Sequence, residues 1–324
     1  MIISRTPFRF SFAGGGTDLN SYYRLGYGQV TSTAIDKYMY ITVNRRFDST
    51  LRVSYSKTEI VERADQVAHP IVRAALAKLG IESGVEIVSV ADIPAGTGLG
   101  SSSSFTVGLL HAFHAYKGEF VSAERLAAEA CEIEIDELRE PIGKQDQYIA
   151  AFGGLRSIRF NADETVDVEA VICARDTKLT LNRWLMAFYT GATRRAADIL
   201  QTHRARTEVN RPRLDRMRAL ADESARALAV GDLFRLGDVL HEGWMLKRGV
   251  TDDTTTDAID RAYEAARAAG ALGGKIAGAG GGGFLFLLVE PDKQPAVKKA
   301  LALREVSFGL ESQGSTIVYV GPEH

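Results

Sequence analysis

With 324 residues, 45% of them hydrophobic, the chain can bury a full core and by length fits two domains better than one. A formal charge of −2 leaves no global field to recommend nucleic acid or an anionic membrane, so the expected partner is a small molecule. Cys131 and Cys173 lie in apolar surroundings without metal-ligand spacing and read as core fillers; the start MIISRTPFRF lacks a signal layout and no apolar run reaches membrane length, so a cytoplasmic protein is expected.

In chain order, residues 1–13, 29–47 and 52–56 read as extended and 69–79 as helical. A strand at 85–90 (VEIVSV) leads through Pro94 to Ser104, PAGTGLGSSSS, into a helix from about Ser102. Phe105, Leu109, Phe113 and Tyr116 line one face of that helix, and Gly118 ends it. A second helix is expected after Ser122 as N-cap, with Leu126, Ala130 and Ile133 on one face; Gly153 and Gly154 then precede a strand at 155–160. The stretch 163–178 is polar and weakly patterned, whereas WLMAFY at 184–189 reads as a buried strand, which places the division between domains 1–175 and 176–324. The second part is expected to carry helices at 194–229, 233–246 and 256–269, a buried strand at 284–289, a helix at 295–303 and a strand at 316–320. The class is α+β.

A helix N-terminus presents unpaired N–H groups and partial positive charge, and glycines before it let an anion approach the backbone, so PAGTGLGSSSS suits a polyphosphate. It is not a Walker A loop, because Gly100 is followed by Ser101 rather than Lys; Gly96, Gly98 and Gly100 do not have G-x-G-x-x-G spacing either. The plainer alternative is a glycine-rich turn with a serine N-cap. Two more glycine clusters, AGGGTD at 13–18 and KIAGAGGGGF at 275–284, could each be a tight turn needing positive φ, but three together suggest loops converging on one ligand.

Arg9 to Asp18 (RFSFAGGGTD), PAGTGLGSSSS and KIAGAGGGG resemble, in this order, the three motifs of the GHMP kinases, the small-molecule kinases that include galactokinase, homoserine kinase and mevalonate kinase. The resemblance spans nearly the whole chain. It implies a two-domain α+β fold, with an N-terminal α/β domain of ribosomal-protein type and a ferredoxin-like C-terminal domain. It also implies ATP and Mg²⁺ as cofactors and a small-molecule sugar or sugar phosphate as partner, with the oligomeric state open and a homodimer among the candidates. Gly15 and Gly16 stand where galactokinases have Glu-His, and RTPFRFSFAGGGTDL together with GKQDQYIAAFGG (143–154) looks most like the heptose 7-phosphate kinases, which make the 1,7-bisphosphate.

Carried onto matching positions, the resemblance implies an ATP cradle formed by Pro94, Gly96, Thr97, Gly98, Leu99, Gly100, Ser101, Ser102 and Ser103. It implies Ser102 and Glu134 as magnesium ligands, a cation that demands hard oxygen donors; Glu132, Asp136 and Glu137 crowd the same segment, so a solvated acidic helix face is the rival reading of Glu134. Asp146 would act as catalytic base toward a sugar hydroxyl, with Arg9 orienting it and stabilising charge on the transferring phosphoryl group. Gly15, Gly16, Thr17 and Asp18 would meet the sugar, and Gly280 and Gly281 would close over it from the second domain. A substrate phosphate would need a cationic clamp, for which Lys37, Arg45, Arg46, Arg194, Arg195, Lys247 and Arg248 are available without a choice among them. The expected activity is ATP-dependent phosphorylation of the anomeric hydroxyl of D-glycero-D-manno-heptose 7-phosphate. The alternatives are a fucose- or galactose-type sugar 1-kinase and a non-catalytic ATP- and sugar-sensing protein.

Overall fold

The computed structural model describes residues 1–191 and 196–322, so Arg194 and Arg195 of the expected clamp lie outside the described residues. Strand β1 (Ile2–Ala13) runs through a short helix α1 (Asn20–Tyr23) into the long strand β2 (Tyr27–Arg45), and the two form an antiparallel pair that organises the molecule. Next come β3 (Leu51–Ser54), β4 (Thr58–Val61), α2 (Pro70–Leu79), β5 (Val85–Ala91), α3 (Ser101–Tyr116) and α4 (Ala123–Cys131), whose N-cap Ser122 accepts the Arg125 N–H as expected. A wide helical turn, Glu132–Glu137, leads to α5 (Gln145–Phe152), followed by β6 (Leu155–Asn161), β7 (Val166–Ala170), α6 (Arg175–Trp184) and β8 (Leu185–Tyr189).

Helices α7 (Ala196–Ala205), α8 (Arg211–Val230), α9 (Leu233–Arg248) and α10 (Asp257–Ala268) come next, then β9 (Gly273–Ile276), β10 (Phe284–Leu288), α11 (Gln294–Leu301), β11 (Arg304–Glu305), β12 (Leu310–Glu311) and β13 (Thr316–Val320). The single helix expected over 194–229 is therefore two, because Pro212 has no N–H to donate and belongs in the first turn of a new helix.

The first sheet has the order β13-β1-β2-β5-β3-β4, with β6 and β12 added along the length of β2 and β7 paired to β6. The chain end thus returns to its beginning, Val320 pairing opposite Ile2. The second sheet has the order β11-β8-β10-β9. Alternation in β1 sends Phe8, Phe10 and Phe12 to one face and Arg9 and Ser11 to the other. Phe10 stacks on Phe286 of β10 with ring centroids 4.2 Å apart, which fastens one sheet to the other and fixes Arg9 from behind. Strand β9 (GGKI) was hidden in the sequence by its glycines. Gly273 is there because α9 lies on it, a Cβ falling 2.0 Å from the Gly237 carbonyl oxygen, and at Gly274 a Cβ would fall 2.2 Å from the Phe286 carbonyl oxygen of β10.

Candidate active site

The Arg9 guanidinium makes a bidentate pair with Asp146, Nε to Oδ1 at 2.8 Å and Nη2 to Oδ2 at 2.9 Å, while Nη1 donates to the Gly98 carbonyl. Only 4% of Arg9 is exposed, and these three bonds hold its guanidinium in place while leaving two N–H groups free of a protein partner among the described residues. Asp146 occupies the first turn of α5, where the helix dipole favours a carboxylate. One residue earlier, Gln145 accepts from Ser11 Oγ at 2.9 Å and donates to Asp18 Oδ2 at 3.0 Å. Asp18 also accepts the Gly16 N–H at 2.8 Å; burial, helped by the nearby Asp146 charge, raises its carboxyl above the ordinary range. Gly143 is a glycine because a Cβ there would lie 2.0 Å from Asp18 Oδ2.

Helix α3 starts at the serine run, capped by Gly100 at φ 77°. Ser102 Oγ donates to Glu134 Oε1 at 2.8 Å, and Gln147 Nε2 donates to Oε2 at 2.6 Å. Glu134 is only 1% exposed, so the acidic helix face described by Glu132, Asp136 and Glu137 does not include it, and burial raises its carboxyl. Among the described residues no group of three or more His, Cys, Asp or Glu side chains is arranged to hold a metal.

Arg9, Ser11, Asp18, Ser102, Gln145 and Asp146 border a cavity of about 1100 Å³, and Glu134 and Gln147 lie behind Ser102 without lining it. Tyr55, His69, Ile71 and Phe105 line it on the side of the small strands, His69 stacking on Phe105 with centroids 5.0 Å apart. Gly15, Gly16, Asp18, Leu200 and His203 line it on the other side, with Pro94, Gly96, Gly98 and Gly100 to Ser103 between them. Gly280 borders it as expected.

Several expected contacts are redirected. Thr17 is fully buried and its hydroxyl is consumed by the Gly14 and Gln29 carbonyls at 2.7 and 2.9 Å, so it shapes the loop and does not border the cavity. Thr97 and Leu99 are likewise turned inward, Thr97 Oγ1 onto the Pro94 carbonyl at 3.0 Å, and the Gly281 N–H is spent on the Thr254 carbonyl at 2.8 Å. Of the described clamp candidates, Lys247 alone lines the cavity. Arg46 pairs with Asp48, Arg248 with Asp260 and Lys37 with Asp36, and Arg45 is exposed on β2.

The glycine loops also need a different explanation from close ligand approach. A Cβ at Gly98 would sit 2.6 Å from the Ala277 carbonyl oxygen, and one at Gly283 would sit 2.1 Å from that of Thr97. The second and third loops are glycine-rich where their backbones press on each other. Gly15 differs: the nearest atom to a Cβ there is 3.7 Å away, so that glycine leaves real space.

Residues that sequence reasoning passed over are Gln145, Gln147 and Lys275. Lys275 follows two glycines in β9 and lines the cavity beside Lys247. Lysines that charge the surface and lysines that charge a site look alike in sequence; their 5% and 7% exposures separate these two.

The family model described as GHMP kinases N terminal domain matches residues 54–154, and the one described as GHMP kinases C terminal matches 224–306. The D-glycero-alpha-D-manno-heptose 7-phosphate kinase of Campylobacter jejuni is 31% identical over 318 residues, covering 93% of this chain and 93% of that protein. The chain belongs to the GHMP kinase family. This GHMP kinase is also 26% identical to the galactokinase of Pyrococcus furiosus, over 94% of the chain and 93% of the relative. Its fold matches the crystal structure of a D-glycero-D-manno-heptose 1-phosphate kinase from Bacteroides thetaiotaomicron with a TM-score of 0.83, covering 99% of this chain and 100% of that one at 24% identity. As a GHMP kinase the protein is a phosphotransferase with an alcohol acceptor, of a family that takes its phosphate from ATP, and it has the family's α+β fold. Among the described residues, no helix is long and apolar enough to cross a membrane.

Proposed function

We propose that this GHMP kinase transfers the γ-phosphoryl group of ATP to the anomeric hydroxyl of D-glycero-D-manno-heptose 7-phosphate. The observation that carries the transfer chemistry is the bidentate Arg9–Asp146 pair in the cavity wall, between the serine-rich start of α3 and the buried Asp18. The 31% identity to a heptose 7-phosphate kinase supports the acceptor, as does the space at Gly15.

Arg9 holds both Asp146 oxygens in one plane, and each keeps a lone pair that can accept the proton of the sugar hydroxyl as the oxygen attacks phosphorus. Asp18, fixed by Gly16 and Gln145, accepts neighbouring hydroxyls and aligns the ring, which is where a positioned acceptor gains most of its rate. The N–H groups at the start of α3 cradle the triphosphate. Arg9 Nη1, anchored on the Gly98 carbonyl beside that cradle, places its charge where the phosphoryl group passes.

Ser102 and Glu134 would hold Mg²⁺, the hydroxyl and carboxylate supplying the hard oxygen donors that this cation takes. Bound there, the ion would neutralise phosphate charge. We also propose the division into 1–175 and 176–324, with β12 and β13 completing the first part's sheet.

The test is ADP release with a panel of acceptors. Heptose 7-phosphate should be turned over, and free galactose, fucose and mannose should be near background. Turnover confined to the free hexoses would overturn the acceptor assignment while leaving the kinase chemistry in place.

A further inference from the structure

The proposed transfer reaction, on which this inference rests, leaves two buried lysines without a task. Lys247 of α9 and Lys275 of β9 both line the cavity from the side of the second sheet. Neither forms an ion pair among the described residues: the Lys247 ammonium donates to the Gly278 carbonyl, and Lys275 has no hydrogen-bond partner there. Burial and like charge push both ammonium groups down from the usual lysine range, Lys275 well below it, so the pair beside a buried arginine carries its full charge only with an anion present.

The anchoring shows where that anion sits. Arg9 is tied to the Gly98 carbonyl and Lys247 to the Gly278 carbonyl. Gly98 and Gly278 touch, a Cβ at Gly278 falling 2.7 Å from the Gly98 Cα. One cation from the first sheet and one from α9 are therefore moored on adjoining loops and face the same part of the cavity. The charged groups facing Lys247 are Asp18 and Asp146, which attract it, and Arg9, which repels it; Lys275 also faces it, its own ammonium pushed well below the usual lysine range by burial and then by the Lys247 charge. His203 of α7 also faces it, but burial lowers that imidazole to about 4, so it is neutral. The two carboxylates already have partners in Arg9, Gly16 and Gln145.

We propose that Lys247 and Lys275 form a phosphoryl-anion site that closes on Arg9 from the opposite wall of the cavity. The phosphoryl group comes either from the donor's γ-position or from the phosphate the acceptor already carries. The Lys247 environment adds a signature: burial first, then the Arg9 charge, brings its ammonium from 10.5 to about 8. An arriving anion favours the charged form, so above about pH 8 binding must be accompanied by proton uptake.

Calorimetric titration of the full chain at pH 8.5, in buffers of different ionisation enthalpy, reads this directly. One arm uses a non-hydrolysable ATP analogue with Mg²⁺, the other heptose 7-phosphate alone. Wild type should take up part of a proton in at least one arm, and that arm identifies the source. Lys247→Met should take up less of a proton than wild type and bind that ligand roughly 10- to 100-fold more weakly, as expected for a lost charged hydrogen bond. Lys247→Arg, charged throughout at that position, should bind with less uptake than wild type. Equal heats in all buffers for wild type in both arms, or uptake unchanged in Lys247→Met, would overturn the proposal. The wild-type titration stands even if a variant does not fold. Uptake with the ATP analogue is independent of which sugar is phosphorylated, so it separates failure of the site from failure of the acceptor assignment.

Discussion

Asp146→Asn should lower kcat by roughly 10²- to 10⁴-fold, the usual contribution of a positioned general base. Asparagine keeps the shape and one acceptor oxygen but cannot take the hydroxyl proton. It also replaces one oxygen of the Arg9 fork with an NH₂ group, which cannot accept Nη2 or Nε. ATP binding should fall far less than kcat, the residual effect coming from the contact of Asp146 with Gly100, where a Cβ would lie 3.2 Å from its Oδ2. Steady-state rates with calorimetric ATP affinity and a melting curve separate the cases. An unchanged rate would show that Asp146 is not the base, whereas lost ATP binding with a lowered melting point would assign it a structural role.

Gly98→Ala should disable the enzyme without touching a reacting group. Residue 98 has φ 80°, a conformation that costs an L-residue about 1–2 kcal/mol, and its new Cβ would lie 2.6 Å from the Ala277 carbonyl oxygen. Overpacking of this kind adds about 1–3 kcal/mol. The alternative to paying it is separation of the second and third loops. That moves Arg9, which is bonded to the Gly98 carbonyl, and misplacement by an ångström can cost about 10²-fold in rate. The expected result is a lower denaturant midpoint together with a kcat/KM reduced by about 10²-fold or more. Gly15→Ala is the control: its Cβ meets nothing nearer than 3.7 Å, so stability should hold and only acceptor affinity should move. Equal stability for Gly98→Ala and wild type would show that the loop contact is not tight.

Much of this site could be read from residues alone. FRFSF alternates, so Arg9 and Ser11 had to share a face, and the structure puts both against the start of α5, on Asp146 and Gln145. The cap at Ser122 and the last strand at 316–320 were equally legible, because a serine before an apolar helix and a β-branched run at a chain end are local signals. Helix α5 was not, since its N-cap Lys144 offers no side-chain hydrogen bond and so no capping signal marks its start. Strand β9 was masked by glycines that answer to α9, which precedes it across α10, and to β10. The same limit applies to the glycine loops: pressure between backbones and room for a ligand both select glycine, and only the three-dimensional neighbours distinguish Gly98 from Gly15. Lys247 and Lys275 were invisible as a pair because nothing in sequence spacing links α9 to β9.

The most direct measurement follows the acceptor by phosphorus NMR during incubation of the protein with ATP, Mg²⁺ and D-glycero-D-manno-heptose 7-phosphate. A new anomeric phosphate resonance should grow in step with ADP while the C7 phosphate signal persists, giving the 1,7-bisphosphate. ADP formation with no anomeric resonance, or with phosphate appearing at another carbon, would contradict the assignment.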